Sequence, residues 1–351
     1  MVSSSQGVGV RRRARADEAA LASAVAAALA IAASACSGSS EDKAGGRSDA
    51  GGAPVVLTLE EHDPSYSGTQ FAAAVAERSG GSIRITVRRG QGPVNFERAI
   101  VDDVRLDKAD LGVVAVRSWD TLGVTSFSGL LAPFLVDSLE LERRVLESPL
   151  AARMLADVDR AGVVGLAVLP GPLRRAFGYR RALVGPADYE GAKIGVRPGR
   201  VEELTFRSLG ADTRVYLSLW GASREGAALN LRDIAAYSGR TVATNVVFWP
   251  RAETVIMNRK AFAALTEEQR AILVAAGREA VGPRIAEIDR VEQDALRSIC
   301  DRKLASLVTA SPKQIAELRA AVRPVHAELG RDTATHELIA EIKLLKAGVV
   351  E

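Results

Sequence analysis

From Val55 onward the apolar positions fall into two alternating periods. Val55–Glu61 reads as a buried first strand. Ser82–Arg89 sets Ile83, Ile85 and Val87 against Arg84, Thr86 and Arg88, the two-residue period of a half-buried strand. Between them Gly68–Arg78 carries Phe71 and Val75 at helical spacing, and Gly80-Gly81 ends it. The pattern continues with a helix over Asn95–Leu106, a third strand over Asp110–Val116, a helix over Leu139–Val158 and an apolar strand over Val163–Pro170. After residue 171 it resumes, with strands near Phe177–Leu183, Lys193–Arg197 and Thr213–Leu217 and a helix over Val201–Leu209. Strands alternating with helices predict two α/β bodies on mostly parallel sheets.

The last third is helical. One strand, Phe248–Met257, precedes a capping box in which Thr266 is the N-cap and Gln269 lies three residues on. Helical periodicity then runs to about Leu307. Gly282-Pro283 interrupts it, which predicts a long kinked helix. Placed late in a two-body chain, that helix is expected to brace the bodies. Helices over Pro312–Glu328 and Thr335–Leu345 complete the pattern.

The first fifty residues follow neither period. Arg11-Arg12-Arg13-Ala14-Arg15 precedes an apolar, alanine-rich run from Ala19 to Ala35, closed by Ala33-Ser34-Ala35-Cys36. Charge, apolar core and small residues in that order predict a secretion signal over 1–35. The run is shorter than the about 20 residues of a membrane span. Cys36 stands where a bacterial lipoprotein signal places its lipidated cysteine. Residues 36–54, rich in Gly, Ser and Asp, then read as a flexible tether. The expectation is a lipoprotein anchored to the outer face of the cell membrane; plain secretion and an uncleaved anchor are the alternatives. Cys300, the other cysteine, has no intramolecular partner and is expected as a small buried hydrophobe.

The net charge of +3 is spread along the chain, with several positives in the N-terminal arginine run, so no basic stripe for nucleic acid exists. His62, His326 and His336 share no metal-ligand spacing with other donors. There is no P-loop, no dinucleotide-binding glycine pattern after a strand and no nucleophile elbow. No metal, cofactor or catalysis is therefore expected.

One stretch does carry chemistry. In GAKIGVRPGR (191–200) a strand ends in Arg197, Pro198-Gly199 breaks the chain, and a helix begins. Open α/β sheets bind ligands at that edge, and a helix N-terminus adds free N–H groups and partial positive charge. Arg197 and the backbone at Gly199–Val201 are thus candidate carboxylate donors. The alternative is that Arg197 and Arg200 are solvated or pair with Glu202 and Glu203. His62, at the C-terminal end of the first strand, faces the same kind of edge. Trp119, Trp220 and Trp249 lie in loops or at element ends and are aromatic candidates, with a place in the core as the alternative for each.

With these residues placed, the chain resembles the DctP-type substrate-binding proteins of tripartite ATP-independent periplasmic (TRAP) transporters from about Val55 to its end. The resemblance rests on Phe71 with Gly81, Ile83 and Ile85, then ADLGVV (109–114), LLAPFLVDS (130–138), ADYEGAKIGVRP (187–198) and NRKAFAALTEEQRAIL (258–273), in family order. It implies a two-lobe clamshell with a long kinked helix bridging the lobes. Lobe I would comprise 55–170 plus about 246–282, and lobe II 171–245 plus about 283–351. It implies a binding protein that captures a small organic anion in the interlobe cleft and delivers it to a membrane permease. The family's carboxylate-binding arginine falls on Gly195 here. Arg197, two residues on, shares that strand face about 6–7 Å away. The family's second arginine falls on Arg175. Arg117 and Ser118 occupy the loop after the third strand, from which the family also draws ligand contacts. The segment REGAALNLRDIAAYSG (224–239) is shortened relative to the family. A sensor that presents solute to a membrane kinase, and a secreted hydrolase or lyase, are the competing readings.

Overall fold

The structure, a computed structural model, describes residues 53–62, 67–89, 96–215, 225–235 and 240–350. Cys36 and Trp220 lie outside the described residues. In chain order the first lobe is built from β1 (Val55–Glu61), α1 (Gly68–Arg78), β2 (Ile83–Arg89), α2 (Phe96–Arg105), β3 (Leu111–Ala115), a 3-10 stretch (Val116–Leu122), α3 (Leu139–Glu147), α4 (Leu150–Ala156) and β4 (Val163–Leu169). The chain crosses into a second body with β5 (Leu173–Gly178), β6 (Lys193–Val196), α5 (Arg200–Ser208), β7 (Asp212–Val215), β8 (Gly226–Leu229), α6 (Leu231–Ala235) and β9 (Arg240–Pro250). It returns with β10 (Glu253–Asn258), α7 (Arg259–Ala264) and α8 (Glu267–Glu279). It ends with α9 (Val281–Asp301), β11 (Ala305–Val308), α10 (Pro312–Ala321), α11 (Arg323–Leu329) and α12 (Thr333–Val350).

Two sheets result, β2-β1-β3-β10-β4 and β11-β9-β5-β8-β6-β7. Their positions in the sheet explain the patterns. β2 is an edge strand and keeps arginines outward. β3 lies between β1 and β10 and is buried throughout, as a central strand covered on both faces must be. Both sheets are mixed. β10 runs antiparallel to β3 and β4, and β5 antiparallel to β8 and β9. The expectation of mostly parallel sheets missed this because the run Phe248–Met257 is two strands in two sheets. β9 ends at Pro250 and β10 starts at Glu253, with Arg251 and Ala252 making the crossover between them.

The two crossovers lie side by side. Arg251 N–H donates to Pro172 O at 3.0 Å. A Cβ at Gly171 would stand 1.8 Å from Arg251 O, so only glycine lets the two backbones approach this closely.

The long helix is bent, with its break at Ala280, which ends α8 and starts α9. The break falls just before Gly282-Pro283. Pro283 occupies the first turn of α9, where its missing N–H is not needed. The predicted capping box is present: Thr266 Oγ1 accepts from Gln269 N–H, and Gln269 Oε1 from Thr266 N–H. α9 packs on α3 of the first lobe and α6 of the second. Other predicted helices are subdivided. Leu139–Val158 breaks at Ser148-Pro149, and Pro312–Glu328 at Val322. α12 packs on α3, and Lys346 Nζ donates to Phe134 O and Leu135 O at 3.0 and 2.8 Å, so the final helix lies against the first lobe rather than the second. Cys300 is exposed, not buried; the inward face of α9 is Ile288, Glu292, Ala295 and Ile299.

Candidate functional site

Between the sheets lies a small cavity. Its wall is built where strands end: Arg117 follows β3, Arg174 is on β5, Arg197 follows β6 and Arg251 sits in the β9–β10 crossover, with Trp249 beside it. It leaves about 20 Å³, room for about one water. Both lobes contribute, and they touch here. Arg117 Nη1 donates to Pro198 O at 2.8 Å, and a Cβ at Gly199 would stand 3.2 Å from Arg117 O.

Each cavity arginine has an acid beside it. Arg117 pairs with buried Glu97 and also donates to Ser118 Oγ at 3.3 Å. Arg174 Nη1 meets Asp233 Oδ2 at 3.0 Å, and Asn230 Oδ1 accepts from Asp233 N–H at 2.7 Å, which fixes that acid at the start of α6. Arg251 Nη1 lies 3.3 Å from Glu253, itself held by Ser67 N–H and Oγ at 2.9 and 2.7 Å. The fourth acid is Glu202, from the first turn of α5. It is buried and lines the cavity, its carboxylate accepts from Arg197 N–H, and Arg117, Arg174 and Arg197 draw it toward the ionised form. Burial nonetheless pushes its carboxyl above the ordinary range.

Two N–H groups at the N-terminus of α5 are already taken. Asp120 of the facing lobe accepts from Arg200 N–H at 2.6 Å and from Val201 N–H. The free N–H groups expected there for a ligand thus hold a carboxylate of the chain itself, the ordinary occupant of a helix N-terminus.

The structure brings Arg117 and Arg197 to the cavity and places Ser118 against Arg117. Arg175 is elsewhere: its guanidinium meets Glu292 of α9 at 2.9 and 3.0 Å, both side chains mostly buried. Its neighbour Arg174 lines the cavity instead. The cause is register. β5 spans Leu173–Gly178 rather than starting near Phe177, and its pairing with β9 is irregular on both sides of Arg175. Gly195 is buried in β6, paired with Arg214 and Ala227. Gly199 borders an adjoining pocket with Asp120 and Glu202. Arg200 pairs with Glu328. His62 is half-buried at the end of β1 and lines neither cavity. Trp119 stacks in the core on Phe127 and donates to Thr254 Oγ1 at 2.9 Å, whereas Trp249 lines the cavity. Sequence reasoning missed Arg174, Arg251 and Asp120; it named Glu202 only in the alternative that pairs it with Arg197 or Arg200, and the structure sets Glu202 beside Arg197 in the cavity. Of the missed residues only Arg251 left a signal, as a charge inside an apolar run. Among the described residues no group of His, Cys, Asp or Glu is arranged to hold a metal ion, and no helix is long and apolar enough to cross a membrane.

The sequence pattern of the bacterial extracellular solute-binding proteins, family 7 (DctP), matches residues 56–218 and 237–332. Among solved structures, a TRAP periplasmic solute-binding protein of Xanthobacter autotrophicus Py2 with bound β-D-galacturonate is 19% identical. That match covers 83% of this chain and 99% of the other at a TM-score of 0.71. The sugar-acid-binding protein of Advenella mimigardefordensis in complex with galactonate is 16% identical, with 83% and 99% covered and a TM-score of 0.72. A TRAP periplasmic solute-binding protein of Shewanella oneidensis with bound succinate is 16% identical, with 82% and 99% covered and a TM-score of 0.70.

Proposed function

Because the chain belongs to the bacterial extracellular solute-binding proteins of family 7, the DctP family, we propose that it captures a small organic acid between its lobes and delivers it to a TRAP-type permease. The observation that carries this reading is the convergence of four arginines, from both lobes and the crossover between them, on one cavity at the strand ends. A guanidinium presents a planar fork that fits a carboxylate, and each hydrogen bond to a charged group contributes about 1.5–3 kcal/mol. The relatives with bound galacturonate, galactonate and succinate support a carboxylate as the recognised group.

In this reading Arg197 and Arg117 hold the carboxylate, Ser118 steadies Arg117, and Arg174 takes the role expected of Arg175. Gly195, where the family carries an arginine, leaves that function to Arg197. Gly199 allows the lobes to meet, and His62 and Trp220 remain ligand candidates to be tested by substitution. The chain acts by binding and release rather than by turnover. Cys36 carries the lipid that holds it outside the cell membrane, which mass spectrometry of membrane-extracted protein checks; an unmodified Cys36 in the mature chain contradicts it. The functional reading is tested by a thermal-shift screen of organic acids against matched neutral compounds. Stabilisation by acids alone is expected, and stabilisation only by uncharged compounds overturns the reading.

A further inference from the structure

The cleft already holds a carboxylate of the chain's own. The first turn of α5 carries two acids, Glu202 and Glu203. Glu203 pairs with Arg207 one turn on, at 2.6 Å along the helix surface. Glu202 turns the other way. It is 7% exposed, lines both the arginine cavity and the pocket beside it, and lies within the attraction of Arg117, Arg174 and Arg197. These are the groups that the proposed function assigns to a ligand, and beside Glu202 they leave space for about one water.

We propose that Glu202 is a tethered stand-in for the ligand carboxylate: it occupies the arginine cradle when solute is absent, and an incoming carboxylate must displace it. The inference rests on the carboxylate reading of the cleft and adds a specificity device to it. A tethered group competes at an effective concentration in the millimolar range. A simple monocarboxylate present at lower concentration therefore loses to Glu202. A solute that gains further contacts in the cleft wins. Glu202 thus sets a threshold that excludes small carboxylates which the arginines alone would accept.

The test uses acetate as the probe and acetamide as its uncharged isostere, at constant ionic strength, on wild type, Glu202→Ala and Glu202→Gln. Calorimetry and melting temperature are the readouts. Glu202→Ala is expected to bind acetate at least about tenfold more tightly than wild type, with acetamide ineffective. Glu202→Gln, which keeps the side-chain volume and removes the charge, is expected to gain acetate binding to a smaller extent, and it carries the test should the alanine variant not fold. Equal acetate binding by wild type and the folded variants overturns the proposal, as does an equal response to acetamide. Failure of wild type to bind any organic acid would count against the transport reading alone, because acetate on Glu202→Ala probes the cradle and not the natural solute.

Discussion

Adjacent arginines on β5 stand in different surroundings. Arg174 lines the cleft, while Arg175 forms a buried ion pair with Glu292 of the bracing helix. Arg175→Ala leaves a buried carboxylate without its partner, so a loss of about 3–5 kcal/mol in stability is expected from chemical denaturation. Unchanged stability would contradict that role. Glu202 adds a pH dependence. Its carboxyl is held above the ordinary 4.5 by burial, against the pull of Arg117, Arg174 and Arg197. Arg251 and, in the adjoining pocket, Asp120 also face it. Between 4.5 and the raised value the folded chain binds more protons than the unfolded one, so Glu202 makes stability fall as pH rises through that window. Protonation also frees the arginines, so affinity for an acid that stays ionised should rise as pH falls through the same window. Glu202→Gln should flatten both slopes; Asp120, raised from 3.8 by burial, leaves a residual slope in stability. Titrations at several pH values check this, and an unaltered affinity profile in the variant would refute it. The place of Arg197 at the cavity was legible from sequence because a charge at a strand–helix junction is a local signal. The choice between Arg174 and Arg175 was not, because one residue of register decides which side chain reaches the cleft. Glu202 was legible only as an acid to pair with Arg197 or Arg200; its burial in the cavity was not, because an acid in a first helical turn is ordinarily a surface group.

At the scale of elements, α5 is capped across the cleft by Asp120 of the opposite lobe. Asp120→Ala removes a helix cap and an interlobe contact together. A loss of about 0.5–2 kcal/mol is expected, with a larger radius of gyration by small-angle scattering; an unchanged radius would show that the contact does not hold the lobes together. In α9, Gly282 has open space where a Cβ would go. Gly282→Ala is therefore expected to stabilise the chain by about 0.4–1 kcal/mol through the unfolded state, and a lower melting temperature would contradict it. Elements with their own local signals were legible: α1, the alternating β2 and the boxed start of α8 all follow from period and cap. The β9–β10 switch was not, because both strands are buried and their apolar pattern runs on through the crossover at Arg251 and Ala252. β8 and α6, each of five residues or fewer, are too short to establish a period.

For the whole molecule, the lobes are joined by two adjacent crossovers and one bent helix that touches both. Gln70 of α1 donates to Glu287 of α9 at 2.8 Å, and Arg175 of β5 binds Glu292 of the same helix, so α9 is tied to each side. The two-lobe organisation was readable as two α/β series. The return of α12 to the first lobe was not, since nothing within a helix says which lobe it will cover.

The proposed function requires that the interlobe arginines bind a carboxylate. Calorimetry of the best organic acid against wild type, Arg174→Ala, Arg197→Ala and Arg175→Ala tests it most directly. Each cleft substitution removes a charged hydrogen bond worth about 1.5–3 kcal/mol, so Arg174→Ala and Arg197→Ala should weaken binding by about 10- to 150-fold. Arg175→Ala, if folded, should bind as wild type does. Wild-type affinity in both cleft variants, or a loss confined to Arg175→Ala, would contradict carboxylate binding by the interlobe arginines.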